Sequence, residues 1–128
     1  MTERQLQRIA TDLRSRRDAV ASELRRSVAR ARDESFVALA EQGKDAGDLS
    51  VAALIAELGN AQVDRQLGEL QELEYALQRI SDGRYAVCVE CGDDIAYGRL
   101  RAQPAAKRCL DCQRVYEHTH AHPTATRL

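Results

Sequence analysis

The sequence predicts a mainly α-helical protein. A long antiparallel two-helix coiled-coil hairpin extends from a small globular base that holds a four-cysteine zinc finger and a short C-terminal helix. Three observations predict this fold class: residues 3–42 contain neither proline nor glycine, apolar residues recur at steps of three and four over residues 51–81, and two C-x-x-C pairs lie within residues 88–112. The chain is 30% charged and only 4% aromatic, which suits exposed helices better than a thick core.

The first helix is predicted over residues 3–42, because alanine, leucine, arginine, glutamate and glutamine are abundant there and all favour helices. Its apolar residues form an amphipathic seam with coiled-coil character. The seam positions are Leu6, Ile9 or Ala10, Leu13, Val20, Leu24 and Ala31. Arg17 and Ser27 interrupt the seam, and Gly43 stands where a left-handed residue commonly ends a helix.

The turn of the hairpin is predicted at residues 43–50, because two glycines, two aspartates and a serine do not easily continue a helix. Asp48 or Ser50 can cap the helix that follows. That helix is predicted as one element over residues 51–81. Its seam positions are Val51, Leu54, Ile55, Leu58, Val63, Leu67, Leu70, Leu73, Leu77 and Ile80. Gly59-Asn60 and Gly68 are weak points within it.

The length of the second helix suggests how the chain is divided. At about 1.5 Å per residue it is roughly 45 Å long, so its antiparallel partner begins near residue 12. The expected regions are an N-terminal helical extension 1–11 that packs on the base, a hairpin 12–81, a zinc-finger module 82–120 whose C-terminal helix runs from Gln113 to His120, and a flexible tail 121–128.

Four cysteines, Cys88, Cys91, Cys109 and Cys112, form two C-x-x-C pairs with residues 92–108 between them. This arrangement is typical of zinc ribbons and zinc fingers, in which each pair binds one side of a tetrahedral ion. Every cysteine of the chain is used, so we expect one structural zinc ion with no open position for catalysis. The module has few apolar residues, and metal binding would therefore supply much of its folding free energy.

Other interpretations of these residues are weaker. Two disulfides would require an oxidising compartment, but residues 1–17 are charged throughout and do not resemble a signal peptide. A redox or zinc sensor is a further alternative, although reactive thiolates need exposure and a lowered pKa that the sequence does not reveal. His118, His120 and His122 alternate and could bind a metal, but four thiolates already complete a tetrahedral site.

Charge is distributed unevenly along the chain, although the net charge is only -1. Residues 1–32 carry nine arginines against four acidic residues, whereas residues 33–82 carry three basic residues against eleven acidic ones. A basic segment followed by an acidic one fits two antiparallel helices. Independent solvation of each face is the alternative, because surface ion pairs contribute little.

The sequence also argues against several classes of function. The longest apolar run is only six residues, 51–56, so we expect no membrane span and a soluble, cytoplasmic protein. No nucleophile–base constellation or phosphate-binding glycine loop is apparent, so we do not expect an enzyme. A nucleic-acid-binding zinc module is an alternative that would use a basic cluster. The cluster comprises Arg99, Arg101, Lys107, Arg108 and Arg114, but stacking aromatics are limited to Tyr85, Tyr97 and Tyr116, and the acidic second helix would repel phosphate.

The zinc-finger stretch resembles the DksA/TraR family of bacterial transcription factors. The residues that carry the resemblance are the four cysteines together with Ile95, Arg99 and Pro104, and the similarity extends back over the predicted hairpin. Val89 departs from the family pattern, in which an acidic residue or serine usually follows the first cysteine. It is not a ligand, so the departure leaves metal binding intact.

A hairpin that buries its own seam should be monomeric. The resemblance implies a protein that binds RNA polymerase and inserts the tip of its hairpin through the secondary channel, altering the lifetime of promoter open complexes. Family members of the DksA type carry an Asp-x-x-Asp-x-Ala motif at this tip. Here the motif becomes Asp45, Asp48 and Ser50, with serine in place of alanine. Ordinary turn and capping chemistry would explain both aspartates without a partner. Arg65 is carried over as a possible polymerase contact at the channel rim.

Guanosine tetraphosphate synergy is expected to be weak or absent. In DksA-like members, basic residues on the second helix, before the proline and after the last cysteine help bind this alarmone. The matching residues are Glu72, Gln103 and Gln113, and none is basic. Phosphate binding relies on charge-assisted contacts that these side chains do not supply. No stable sequence-specific DNA binding is expected. A transcript-cleavage or elongation modulator is an alternative, because paired tip acids could hold a metal.

Overall fold

A computed structural model describes residues 1–41 and 60–120, with side chains described over 1–34 and 60–120. Within those ranges the chain forms four helices: α1 (Glu3–Glu41), α2 (Ala61–Ser81), α3 (Tyr97–Ala102) and α4 (Leu110–Thr119). Val87 and Asp94 form an isolated antiparallel bridge, and the described residues contain no β-strand. The prediction of a mainly helical protein is therefore confirmed. None of the described helices is both long and apolar enough to span a membrane.

Helix α1 begins with a reciprocal pair of hydrogen bonds that satisfies two backbone N–H groups. The N–H of Gln5 donates to Oγ1 of Thr2 over 3.1 Å, and the N–H of Thr2 donates to Oε1 of Gln5 over 2.9 Å. This Thr-x-x-Gln arrangement is a capping box. It fixes the start of α1 at Glu3, as the composition of the segment predicted.

One compact unit spans Ser15–Glu72 and contains parts of α1 and α2. Val20, Ala31 and Val63 are buried in it. Ser27 was expected to interrupt the α1 seam, yet it is only 3% exposed and lies seven residues after Val20. A small side chain therefore continues the heptad seam. Arg16 and Glu69 bridge the two helices at 2.7 Å, which agrees with a basic first helix facing an acidic second one.

The seam on α2 differs from the prediction at Leu67, which is 43% exposed. The heptad that begins at the buried Val63 instead places Gln66 at the next seam position, one residue earlier. Oε1 of Gln66 is buried and has no hydrogen-bond partner in the described part of the chain. The prediction chose Leu67 because leucine is more hydrophobic than the neighbouring Gln66. The helical phase set by Val63, however, places Gln66 in the seam.

The predicted single helix over 51–81 is wrong at Asn60, which is not helical. Helix α2 begins at Ala61 with Asn60 as its cap. Oδ1 of Asn60 accepts from the N–H of Val63 over 3.0 Å, and its carbonyl accepts from the N–H of Asp64 over 3.1 Å. Asparagine competes well for such N–H groups, which explains why α2 begins directly after Asn60. Residues 51–59 lie outside the described residues.

The other compact unit combines Met1–Arg14 with the chain from Leu73 onward. Its buried apolar side chains are Ile9, Ala10, Leu13, Leu73, Ala76, Tyr85, Cys88, Ile95 and Leu100. Helix α3, which had not been predicted, places Leu100 in this core. Helix α4 starts at Leu110, three residues before the predicted start at Gln113, and buries none of its own residues.

Replacing Asn60 by alanine tests the capped start of α2. Asn60→Ala should lower the free energy of unfolding by about 1 kcal/mol, because the N–H of Val63 loses its side-chain acceptor. Urea unfolding followed by circular dichroism measures this, with Asn60→Asp as the matched variant that keeps an acceptor. If the helix instead ran continuously through residue 60, alanine would stabilise the protein.

Candidate metal centre

The first cysteine pair is held in a tight backbone turn. The N–H of Cys88 donates to the carbonyl of Asp93 over 2.8 Å, and the N–H of Gly92 donates back to the carbonyl of Cys88 over 3.0 Å. Gly92 has a φ of 78°, in the left-handed region that glycine adopts without strain. This turn directs the side chains of Cys88 and Cys91 towards one point.

The second cysteine pair lies at the start of α4. Cys109 is the N-cap residue, and its Sγ accepts from the N–H of Cys112 over 3.5 Å. A helix N-terminus favours negative charge, so this position suits thiolates. The cap also explains why α4 begins earlier than predicted, since Cys109 replaces the serine or asparagine that usually starts a helix.

The four sulfur atoms lie close enough together to bind one metal ion. All of them lie within 4.8 Å of one another, and Sγ of Cys91 is 3.8 Å from Sγ of Cys109. A tetrahedral zinc site with bonds of about 2.3 Å has sulfur–sulfur edges of about 3.8 Å, so the donor set and its spacing fit zinc. Cys88 is buried, whereas Cys91 is exposed. The site therefore lies at the surface of its unit with one side closed by protein.

The thiols of the cluster differ in acidity. Burial acts to raise the pKa of Cys88, but hydrogen bonds from the backbone N–H groups of Cys91, Cys109 and Glu90 outweigh burial and lower this pKa to about 6. The side chain of Cys109 and then burial raise the pKa of Cys112 far above that of a free thiol. Four thiolates at such short range repel one another, and a divalent cation removes that repulsion.

Hydrogen bonds join the segments that carry the two cysteine pairs. The N–H of Val89 donates to the carbonyl of Lys107 over 2.9 Å, and Nε of Arg108 donates to Oε1 of Glu90 over 3.2 Å. Nε of Arg99, on α3, donates to the carbonyl of Arg108 over 2.9 Å. These bonds hold residues 107–109 beside residues 89 and 90, so that both pairs face the same point.

Tyr85 anchors the loop between the pairs. Its hydroxyl donates to the carbonyl of Pro104 over 2.6 Å. Burial raises the pKa of Tyr85 to about 12, although the nearby Arg79 guanidinium acts in the opposite direction. The neutral phenol is therefore the form that the fold stabilises.

Sequence reasoning missed Arg79, a buried arginine at the end of α2. Its Nη2 donates to the backbone carbonyls of Arg84 and Val87. One signal pointed to Arg79: it lies three residues after Ala76, which is buried, and therefore on the inward face of α2. A prediction rarely assigns a charged residue to a core, however.

The remaining residues of the predicted sites are the tip residues, Arg65 and the three histidines. Asp45, Asp48 and Ser50 lie outside the described residues. Arg65 is exposed on α2. His118 and His120 are not among the clustered ligands of the described part, and His120 instead stacks on Tyr116 with ring centroids 4.1 Å apart. His122 also lies outside the described residues.

Comparisons with known proteins identify relatives of both the cysteine region and the longer chain. Residues 83–118 match the prokaryotic dksA/traR C4-type zinc finger. The chain is 28% identical over 117 residues to the RNA polymerase-binding transcription factor DksA of Caulobacter vibrioides, covering 91% of this chain and 79% of that protein. It is 29% identical over 119 residues to the protein of the same name from Escherichia coli K12, covering 91% and 74% respectively.

A solved structure is similar in fold. Transcription factor DksA2 from Pseudomonas aeruginosa aligns with a TM-score of 0.68 at 24% identity, covering 95% of this chain and 90% of that one. Together with the clustered cysteines, this similarity confirms the predicted fold class of a helical hairpin with a four-cysteine zinc-finger base. The prediction of one structural zinc ion is confirmed by the match to a C4-type finger and by the clustering of the four predicted ligands, Cys88, Cys91, Cys109 and Cys112.

Removing one ligand tests the contribution of the metal to folding. Cys109→Ser should reduce bound zinc from about one ion per chain to a small fraction, because it removes one of the four thiolate ligands while serine can still cap α4. Zinc content and thermal unfolding, each measured on purified full-length protein, report the loss. Ser22→Ala, distant in sequence and outside the finger, serves as the control. Full zinc occupancy in Cys109→Ser would contradict a four-cysteine site.

The Tyr85 hydroxyl should make the stability of the protein depend on alkaline pH. Tyr85→Phe should lose about 1 kcal/mol at pH 8, because the hydrogen bond to Pro104 disappears. Since the folded pKa of Tyr85 is raised to about 12 from 10.0, the wild-type advantage is present below pH 10 and declines as the pH rises towards 12. Urea unfolding of both proteins at pH 8 and pH 11 measures the difference, which should narrow at the higher pH. A constant difference would contradict this account.

Proposed function

We propose that this chain is a member of the DksA/TraR zinc-finger family and a bacterial transcription regulator that binds RNA polymerase. The observation that carries this proposal is the C4 finger at residues 83–118, combined with similarity over 91% of the chain to proteins named as RNA polymerase-binding transcription factors. A zinc site with all four positions taken by cysteine supports a structural ion and a protein that acts by binding, not by catalysis.

The proposed mode of action is insertion of the hairpin tip through the secondary channel of the polymerase. A narrow helical pair can enter a pore that a globular domain cannot. The carboxylates of Asp45 and Asp48 would then act by charge on the catalytic magnesium or on the moving elements around it. Ser50, which replaces the alanine of the family motif, would tune the potency of this tip. The expected result is a change in the lifetime of promoter open complexes.

Arg65 is proposed to contact the rim of the same channel. It is exposed on the first turns of α2, five residues after the Asn60 cap, and an arginine there is available to a carboxylate of the partner. Its guanidinium can form two parallel hydrogen bonds, which suits a contact that fixes orientation as well as affinity.

Guanosine tetraphosphate is proposed to add little to this activity. Gln103 caps the end of α3 and accepts from Nη1 of Arg99 over 3.4 Å, while Nε2 of Gln113 donates to Glu117 over 3.1 Å. Glu72, at the third matching position, is acidic. These side chains offer no cation to a polyphosphate.

A nucleic-acid-binding module is less well supported, because three of the five residues in the basic cluster are engaged within the protein. The guanidinium of Arg99 binds the carbonyl of Arg108, and that of Arg108 pairs with Glu90. Arg108 also lies 3.8 Å from the ring centroid of Tyr116, and Nζ of Lys107 lies 5.5 Å from the ring centroid of Tyr75. These contacts organise the zinc module and reduce what the cluster can offer to phosphates.

The tip is tested by measuring binding to core RNA polymerase and open-complex lifetime with the double variant Asp45→Asn, Asp48→Asn. Wild type should bind and shorten the lifetime, whereas the variant should bind with similar affinity and have less than about a tenth of the effect, because the charge acts only after docking. Adding guanosine tetraphosphate should leave the wild-type effect nearly unchanged.

A matched control removes the same charge elsewhere. Asp12→Asn with Asp18→Asn changes two exposed acids of α1 that are not in the tip, and this protein should behave as wild type. Failure of wild type to bind polymerase would overturn the proposed function. Binding with an unchanged lifetime effect in the tip variant would overturn the role of Asp45 and Asp48.

A further inference from the structure

Arg79 makes an unusual set of contacts for a buried cation. It is 6% exposed, its guanidinium carbon lies 5.8 Å from the ring centroid of Tyr75, and none of the ion pairs among the described residues includes it. Its Nη2 donates to the carbonyl of Arg84 over 3.0 Å and also to the carbonyl of Val87. Burying a guanidinium without a counter-charge costs free energy, so another source of negative charge nearby is expected to compensate it.

The two carbonyls that Arg79 binds lie on either side of a strained residue. Ala86 has a φ of 72°, and among the described residues it is the one non-glycine residue with positive φ. An alanine in this region costs roughly 1–2 kcal/mol relative to its ordinary conformations. The carbonyl of Ala86 accepts from the N–H of Ile95 over 2.7 Å, and Cys88 follows two residues later. The strained turn therefore sets the direction from which Cys88 enters the metal site.

A zinc ion bound by the four cysteines would add negative charge to the compact unit that contains Arg79. One divalent ion with four thiolates has a net charge of about -2. Arg79 and Cys88 line the same cavity of about 520 Å³, together with Val87, Val89 and one acidic residue, Asp82. The guanidinium therefore lies beside residues 84–87, the segment that leads to Cys88.

We propose that Arg79 is a positioning residue of the zinc centre. It holds residues 84–87 in the strained conformation that aims Cys88 at the metal, and its charge offsets that of the tetrathiolate site. Arg79 does not touch the metal. It acts through the backbone of residues 84–87, which leads directly to Cys88.

A double-mutant cycle distinguishes this role from ordinary packing. The proteins are wild type, Arg79→Met, Ala86→Gly and the combined variant, all full length and loaded with zinc. The readout is the rate of zinc transfer to a chromophoric chelator. Arg79→Met should release zinc about tenfold faster, the lower end of the range for side chains that hydrogen-bond metal ligands directly, because Arg79 acts one step further from the metal. Glycine adopts a φ of 72° without strain, so in the Ala86→Gly background the same substitution should accelerate release only about threefold.

Two further measurements complete the test. Arg84→Met removes a cation from the lining of the same cavity but leaves the accepting carbonyls, so it should release zinc within about twofold of wild type. With cobalt(II) in place of zinc, the absorption spectrum of Arg79→Met should differ from that of wild type. The spectrum of the double variant should return towards that of wild type. If Arg79→Met does not fold, the same cycle is made with Arg79→Gln.

The outcomes are distinct. A smaller effect of the Arg79 substitution in the Ala86→Gly background supports the proposal. Equal effects in both backgrounds, an unchanged cobalt spectrum, or an effect of Arg84→Met as large as that of Arg79→Met would overturn it.

Discussion

Convergence of four sulfur atoms on one ion is the constraint on which the rest of the zinc module depends. The module offers few large side chains to a core, and α4 buries none of its residues. Burial alone is a weak source of stability for such a small unit, and the metal replaces it. The hydrogen bonds of Cys88, Gly92 and Cys109 with neighbouring backbone groups hold the two cysteine pairs in the geometry that brings them to that ion.

Arginines organise this protein internally as much as they charge its surface. Arg79 binds backbone carbonyls beside the first cysteine pair, and Arg99 binds the carbonyl before the second. Arg108 joins the two pairs through Glu90. A guanidinium suits these positions because its several planar donors can satisfy carbonyl groups that a loop leaves without partners. The basic character of residues 99–114 is therefore weak support for nucleic-acid binding.

Much of the fold and the metal site could be predicted because local patterns determined them. Cysteine spacing identified the ligands, and the absence of proline and glycine identified α1. Helical phase was harder: Leu67 was assigned to the seam that Gln66 occupies, since hydrophobicity competes with periodicity at neighbouring positions. Asn60 was taken as a weak point inside a helix, although its side chain caps α2. Arg79 was missed, because its partners are backbone carbonyls whose positions depend on the folded turn.

We propose that the predicted acidic turn at residues 43–50 reaches the interior of RNA polymerase. Photo-crosslinking tests it most directly: a photoreactive amino acid replaces Asp48 in one protein and Arg101, on α3, in another, and each is irradiated in complex with core enzyme. The account predicts crosslinks from position 48 to polymerase segments around the catalytic magnesium, and from position 101 only to the outer surface. Crosslinks from position 48 confined to the outer surface, or absent altogether, would contradict it.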